Sequence, residues 1–350
     1  MKTIRDINIK DKNVLVRVDY NVPLKDGKVE NDLRIRASLP TINYLIEQGA
    51  QKVILITHLG RPEGKVNKEF TLSPVAKALQ KLLPKQTIGY YPLPKANQEI
   101  TIPKETKIAL LENLRFDPGE EDNSNEFIKN IIDSVKADIY VQDGFAVIHR
   151  AHASTDAVKN FLPVYAGYLL EKEINNLEAA TKDPESPVLL IIGGAKVEDK
   201  QPLIDKFAKI ADQIVVGGKI SADGYKPKHK NIYVAEDFDE DNQGQKLDIG
   251  PISTGKLAGY ITDAKTIIWN GLLGYAEDPT YATSSTIAAE LIGEHQGATT
   301  IICGGDTTGF VENLMKEHPN LDYSLVSTGG GASLEFLLGN KLPGLEAIKK

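Results

Sequence analysis

Runs of four or five apolar residues rich in Val and Ile recur along this chain, separated by longer amphipathic stretches. Strands that are apolar at every position, rather than at every second one, must be covered on both faces. A parallel sheet flanked by helices meets that condition. In the first half such strands are expected at residues 14–18, 53–57, 88–91, 108–111 and 139–141. In the second half they are expected at 188–192, 213–216, 232–235, 266–269, 300–303 and 324–327. Helices are expected over 39–48, 73–83, 125–135, 201–211, 285–293 and 310–317, with Ser73-Pro74 as N-cap and first-turn pair. Residues 165–180 read as one long helix joining the halves, and 181–187, with Pro184 and Pro187, close the linker. A chain of 350 residues exceeds what one core usually sustains. The expectation is therefore an α/β protein of two doubly wound, Rossmann-like parallel-sheet domains facing a central cleft, at residues 1–164 and 188–341.

Composition removes several classes of function. The net charge of −7 argues against a general nucleic-acid binder, so basic surface must be local. Cys303 is the only cysteine, which leaves neither an internal disulfide nor a cysteine-rich metal site. No apolar run approaches the roughly 20 residues of a membrane span. The opening Met1-Lys2-Thr3-Ile4-Arg5 leads into polar sequence, not into the apolar core of a signal peptide. A cytoplasmic protein with no nucleic-acid or membrane partner is expected.

Two residue types are segregated. Every arginine (Arg5, Arg17, Arg34, Arg36, Arg61, Arg115 and Arg150) lies in the first 150 residues, and every Gly-Gly pair lies after residue 190. Arginine offers a planar fork of donors that matches carboxylate and phosphate oxygens. Paired glycines let backbone N–H groups close on a phosphate with no Cβ in the way. Halves suited to two kinds of anion suggest group transfer between two anionic substrates.

Ligands of open parallel sheets bind beyond the carboxyl ends of the strands, so the residues just past each strand matter most. In the first half the strands lead into Asp19-Tyr20-Asn21, His58-Leu59-Gly60-Arg61, Glu112-Asn113-Leu114-Arg115 and His149-Arg150-Ala151-His152. In the second half the same places hold Gly193-Gly194-Ala195-Lys196, Gly217-Gly218, Asn270-Gly271 and Gly304-Gly305-Asp306-Thr307. Lys196 and Lys200, four apart at the start of a helix, are placed to face a phosphate chain. Asp306, opening another helix, suits Mg²⁺, which takes one or two carboxylates beside phosphate oxygens. No G-x-G-x-x-G succeeds any strand, and Gly304 to Gly309 lacks the Lys-Ser/Thr of a Walker motif. His229, His295 and His318 read as surface histidines, Trp269 as core, and the acidic run 236–241 as a solvated loop.

With these residues in place the chain resembles the phosphoglycerate kinase family over nearly its whole length. The likeness rests on Arg17-Val18-Asp19-Tyr20-Asn21-Val22-Pro23-Leu24, Thr57-His58-Leu59-Gly60-Arg61-Pro62, Leu111-Glu112-Asn113-Leu114-Arg115 and His149-Arg150-Ala151-His152. It continues through Gly193-Gly194-Ala195-Lys196-Val197 with Asp199-Lys200, Trp269-Asn270-Gly271, Gly304-Gly305-Asp306-Thr307 and Ser327-Thr328-Gly329-Gly330-Gly331. The resemblance implies reversible phosphoryl transfer from 1,3-bisphosphoglycerate to MgADP, giving 3-phosphoglycerate and MgATP by domain closure in a monomer. It implies a glycerate site of Asp19, Asn21, Arg34, His58, Arg61, Arg115 and Arg150. The implied nucleotide site comprises Gly193, Gly194, Ala195, Lys196, Lys200, Gly217, Gly218, Asn270, Glu277, Gly304, Gly305, Asp306 and Thr307, with Asp306 as the Mg²⁺ ligand. Arg34, Lys196 and Gly330 would act on the transferring group, the helix around Glu171 and the run 329–331 would hinge, and the tail 342–350 would return to the first domain.

The chain departs from the family pattern around the implied adenine and ribose pocket. It has Lys219-Ile220 after Gly218, Leu272-Leu273 after Gly271, Tyr275-Ala276 before Glu277 and Cys303 in a usual glycine place, and the stretch 219–265 is short. Gln142-Asp143-Gly144-Phe145-Ala146 differs from the family's asparagine-aspartate-alanine-phenylalanine-glycine. Three readings stay open: a working, shortened member; a paralogue using another nucleotide or acyl phosphate; and a catalytically silent binding protein on the same fold. Intact charge at Arg34, Lys196 and Asp306 favours an enzyme.

Overall fold

A computed structural model describes residues 1–348 of the chain. It divides into two compact units, Met1–Lys172 with Lys341–Lys350, and Glu173–Asn340. The first contains β1 (Asn13–Arg17), a hairpin of β2 (Leu24–Lys25) and β3 (Lys28–Val29), α1 (Leu33–Glu47), β4 (Lys52–Ile56), α2 (Ser73–Leu82) and β5 (Ile88–Tyr91). Then come β6 (Ile108–Leu111), α3 (Asn125–Val135), β7 (Ile139–Gln142) and β8 (Val164–Ala166). Six strands form one sheet in the order β5-β6-β4-β1-β7-β8, every pair parallel. Every residue of β4 and β6 is buried, which explains why these runs are apolar without alternation. The chain winds from β1 towards the β5 edge and then restarts at β7 on the other side of β1. Connections leaving β1 and β7 therefore part from one another, and a crevice opens at their carboxyl ends.

The division between the units falls inside α4 (Tyr168–Ala179). The second unit continues with β9 (Val188–Ile192), α5 (Gln201–Phe207), β10 (Gln213–Val216), α6 (Gly218–Ala222), β11 (Ile232–Val234) and a hairpin of β12 (Phe238–Glu240) and β13 (Lys246–Ile249). Its later elements are α7 (Pro251–Asp263), β14 (Thr266–Asn270), α8 (Thr283–Glu294), β15 (Thr299–Cys303), α9 (Gly305–Glu317), β16 (Leu325–Val326) and α10 (Gly331–Leu338). Its parallel sheet runs β11-β10-β9-β14-β15-β16, reversing between β9 and β14. Trp269 on β14 is fully buried, as expected, and its Nε1 donates to Gly271 O at 2.8 Å. After the second unit the chain re-enters the first as α11 (Pro343–Glu346), where Gly344 N donates to Ile148 O at 2.9 Å. Residues 349 and 350 of the expected returning tail lie outside the described residues.

Several expectations need correction. Residues 165–180 are not one helix: Tyr165 and Ala166 complete β8, and α4 starts only at Tyr168. Gly167 stands between them and packs against the Asp143 carboxylate, which a Cβ there would overlap. Helix α1 starts at Leu33, six residues ahead of the expected start, with Pro40 inside it. Proline favours a first turn, so Pro40 disguises the turns before it. Ser73 is the first helical residue of α2, not its cap; Leu72 holds that place. The distant Glu112 carboxylate accepts from Leu72 N at 2.9 Å instead. Helix α5 ends at Phe207, short of residue 211, and α9 starts at Gly305, well before residue 310. Lys196 and Lys200 precede α5 and do not occupy its first turn. The acidic run 236–241 is no mere solvated loop. It forms β12, and Asp237 accepts from Ile252 N and Ser253 N, both at 2.8 Å, at the start of α7.

Candidate active site

In the first unit four connections deliver their polar residues to the carboxyl end of the sheet. Asp19, 3% exposed, accepts from Arg34 Nη1 at 2.7 Å, and the same nitrogen reaches Asn21 O at 3.2 Å. Asn21 Oδ1 accepts from Gly60 N at 2.9 Å, binding the β1 connection to the β4 connection. Buried Asn113 joins the next pair. Its Oδ1 accepts from Leu59 N at 3.2 Å and Arg115 N at 3.1 Å, while its Nδ2 donates to Leu59 O at 2.7 Å. Arg115 Nη1 donates to Gly60 O at 2.8 Å, and Nε lies 3.1 Å from Glu121 Oε1. Its Nη2 is buried with no hydrogen-bond partner among the described residues. Burial first, then Arg150 and Arg17, lower Arg115 to about 10 against the opposing pull of Glu121, so it stays protonated at neutral pH. Arg150 is half-buried and its Nε meets His149 Nε2 at 3.3 Å; Arg61 is exposed beside Gly60.

His58 lies among Arg17, Arg115, Arg150 and His152. Burial, then repulsion from the three arginines, hold its pKa well below the usual imidazole range. His152 is pushed down to about 4 by the same causes, burial again being the largest. Both histidines are neutral at pH 7, so the positive charge here comes from the arginines. Arg17 carries no role in the sequence reading, yet it is 1% exposed at the centre of this group. The signal was available: an arginine inside an apolar strand is costly to bury unless something uses it.

In the second unit a cavity of about 950 Å³ lies at the reversal between β9 and β14. Gly194, Ala195, Lys196, Lys200, Glu277, Gly304, Gly305, Asp306 and Thr307 of the expected nucleotide set line it. Gly193, Gly217, Gly218 and Asn270 stand outside this lining, in the wall behind it. Gly193 N donates to Asn270 O at 3.1 Å and Gly194 N to Leu272 O at 2.8 Å. A Cβ on Gly193 would overlap that Leu272 carbonyl, and Gly271, with φ of 102°, approaches Gly193 just as closely. Only glycine permits two turns to pack backbone to backbone here. Lys200 Nζ donates to Asn270 Oδ1, Asn270 Nδ2 donates to Cys303 Sγ at 3.3 Å, and burial lowers the Lys200 pKa. Asp306 is exposed in the first turn of α9, where the helix dipole favours negative charge. Thr307 Oγ1 accepts from Gly271 N at 2.8 Å and keeps that helix end against the β14 turn. Gly330 is not part of the cavity; it is the N-cap residue of α10, with φ of 50° and ψ of −111°.

Lys219, Leu272 and Tyr275, where the sequence departs from the family pattern, also line the cavity, and so do Gly244, Gln245, Lys246 and Leu247, which the sequence reading did not single out. The β12–β13 hairpin reaches this wall because Tyr275 N donates to Leu247 O at 2.8 Å. Buried Asp248 also takes the Ser284 amide at 3.0 Å and the Ser284 hydroxyl.

A family model for phosphoglycerate kinase matches residues 4–233 and 222–340. The chain belongs to the phosphoglycerate kinase family. It is 40% identical to a phosphoglycerate kinase of Fervidobacterium nodosum over 400 aligned positions, covering 99% of this chain and 98% of that one. A phosphoglycerate kinase of Moorella thermoacetica is 39% identical with the same coverage. Among solved structures, phosphoglycerate kinase from Coxiella burnetii superposes with a TM-score of 0.80 at 32% identity, covering 99% of this chain and 98% of that one. The Pyrococcus horikoshii phosphoglycerate kinase gives 0.83 at 28%, with the same coverage. An alignment of 400 positions against 350 residues, with the two family segments meeting at 222–233, puts missing length near the hairpin that builds the cavity wall. Among the described residues no helix is long and apolar enough to cross a membrane.

Proposed function

We propose that this family member catalyses reversible phosphoryl transfer between 1,3-bisphosphoglycerate and MgADP, giving 3-phosphoglycerate and MgATP. The observation that carries this reading is the buried Arg115 Nη2, a charged donor left without a hydrogen-bond partner among the described residues. A desolvated cation with unused donors is stabilised by an anion, and the phosphate end of a glycerate supplies one. In this reading His58, Arg61, Arg115 and Arg150 hold that phosphate, Asp19 and Asn21 meet the glycerate hydroxyl and carboxyl, and Arg34 reaches towards the transferring group. In the second unit Lys200 and the amides of Gly305 and Thr307 take the nucleotide phosphates, with Lys196 on the transferring phosphoryl and Glu277 on the ribose. Gly330 would serve through the backbone of its run and not as a wall of the cavity.

Mg²⁺ fits the residues present. Asp306 offers one exposed carboxylate in a cavity lined by Lys196 and Lys200, and the described residues hold no cluster of three or more ligating side chains. Mg²⁺ usually keeps waters and takes one or two carboxylates plus phosphate oxygens. Bound there, it would neutralise phosphate charge. The chain's own contribution is positioning: no general base is needed, because the attacking oxygen already belongs to a carboxylate or a phosphate. An acyl phosphate must also be kept from water. Closure with a hinge in α4 near Glu171 and at residues 329–331 would do this. Each chain would carry both sites, so a monomer suffices, and glycolytic work would place it in the cytoplasm.

A second reading concerns the nucleotide. Lys219, Tyr275 and the hairpin tip line the cavity where the family pattern is altered, which favours weaker discrimination among bases. A coupled assay supplying 3-phosphoglycerate with ATP, GTP or CTP tests both readings. Turnover with ATP, and GTP within about tenfold of it (1.4 kcal/mol), is the expected result. No turnover with any nucleotide would leave the silent binding protein, and a strong adenine preference would remove the second reading.

A further inference from the structure

We propose that Glu120 and Arg17 are positioning residues that hold His58 as a neutral imidazole with its proton on Nε2. The anion in this basin would then meet an N–H donor and not an imidazolium. The inference rests on reading the basin as the glycerate-phosphate site. Arg17 Nη2 lies 3.1 Å from His58 Nδ1. A guanidinium has five N–H donors and no acceptor, so Nδ1 must present its lone pair and the ring proton must sit on Nε2. Arg17 is itself held in place. Its Nη1 donates to Val18 O at 3.0 Å and its Nη2 lies 4.0 Å from Glu120 Oε1, both side chains being almost wholly buried. Glu120 is anchored in turn: its carboxylate accepts from Ser154 N at 3.1 Å and Ser154 Oγ at 2.6 Å, and its backbone oxygen accepts from Ala153 N at 2.9 Å.

The groups facing His58 come from three connections: Arg17 at the end of β1, Arg115 after β6, and Arg150 with His152 after β7. Two carboxylates oppose these cations: Glu120, 4.0 Å from Arg17 and from His152 Nδ1, and Glu121, 3.1 Å from Arg115 Nε. A dianionic ligand would by itself draw a proton onto the imidazole. The Arg17 donor at Nδ1 resists that, because a proton there would oppose N–H to N–H. The basin's affinity for phosphate is then set by fixed arginine charge and does not track histidine titration.

Long-range ¹H–¹⁵N spectra of the labelled full chain, across pH 5 to 8 with and without inorganic phosphate, report tautomer and protonation without turnover. Failure of this inference is thereby separable from failure of the kinase reading. In the wild type, His58 is expected as the Nε2–H tautomer throughout. In Arg17→Gln it should titrate near the ordinary value of about 6.5 with mixed tautomers, and phosphate should bind several-fold tighter below that pH than above it. Glu120→Gln keeps an acceptor for Ser154 but loosens Arg17, so mixed His58 tautomers should appear to a smaller extent, while the lost negative charge keeps the imidazole from gaining a proton. An Nδ1–H tautomer or an imidazolium in the wild type at pH 6.5 overturns the proposal, whatever the variants do. So does a folded Arg17→Gln that loses phosphate affinity while the His58 spectrum stays unchanged.

Discussion

Asp143 shows how a single buried group sets a pH dependence. Its carboxylate is fully buried and accepts from Leu169 N at 3.0 Å at the start of α4, while Oδ2 has no hydrogen-bond partner among the described residues. Burial raises it to about 7, against smaller opposing help from Thr41 and the amides of Leu170 and Leu169. The folded protein therefore binds this proton more tightly than the unfolded chain does. The resulting stability is complete below about pH 4 and is lost as pH rises through 7. Asp143→Asn keeps an oxygen for the helix amides and removes the charge. It should be more stable than wild type at pH 8 by about 1–3 kcal/mol, with the gain vanishing near pH 4. Thermal melts at both pH values check this, and a variant less stable at pH 8 would show that Asp143 is not ionised against its surroundings. At this scale the residues proposed for the site were picked out by their place just past an apolar strand, as Asp19, His58, Arg115 and Lys196 are. Arg17 was not, because it sits inside the strand, where a pattern of apolar residues draws the eye past it. Its use depends on Glu120 and His58, which lie far from it in sequence.

Elements differed in legibility for physical reasons. Strands β9 and β10 have the expected bounds because nearly every residue of each run is apolar and buried. Helix α7 has no such signal: Gly255 and Gly259 dilute its periodicity, and its start is set by the remote Asp237. The β12–β13 hairpin is hidden for another reason, since a short acidic segment has no core-facing pattern and owes its place to Asp248 and Leu247. Close backbone packing makes the β9 turn the least tolerant element of the cavity. Gly193→Ala would drive a Cβ into the Leu272 carbonyl, so the β9 and β14 turns must separate. A loss of about 2–4 kcal/mol and at least tenfold weaker nucleotide binding are expected. Gly194→Ala, whose Cβ meets open space, should cost less, its φ of 91° being the remaining penalty. Denaturant melts and nucleotide titration of both variants check the order, and equal effects would contradict it.

For the whole molecule, both units are wound outward from a central strand, back, and outward again, and each keeps its anion-seeking residues at that reversal. The double winding was legible from strand and helix alternation alone. The shortened stretch was legible as missing length, but not as a wall, because which face of a cavity a hairpin lines is decided by contacts remote in sequence. The family shows what class of chemistry the chain inherits, and Arg34 and Lys196, one in each unit, are the two residues on which transfer is proposed to depend. Steady-state kinetics of Arg34→Ala and Lys196→Ala, with substrate affinities measured separately by calorimetry, put that dependence to the most direct test. Each variant should lose about a hundredfold or more in kcat with affinities changed only a few-fold, since the lost contacts strengthen in the transition state. Unchanged turnover in both would contradict the mechanism outright.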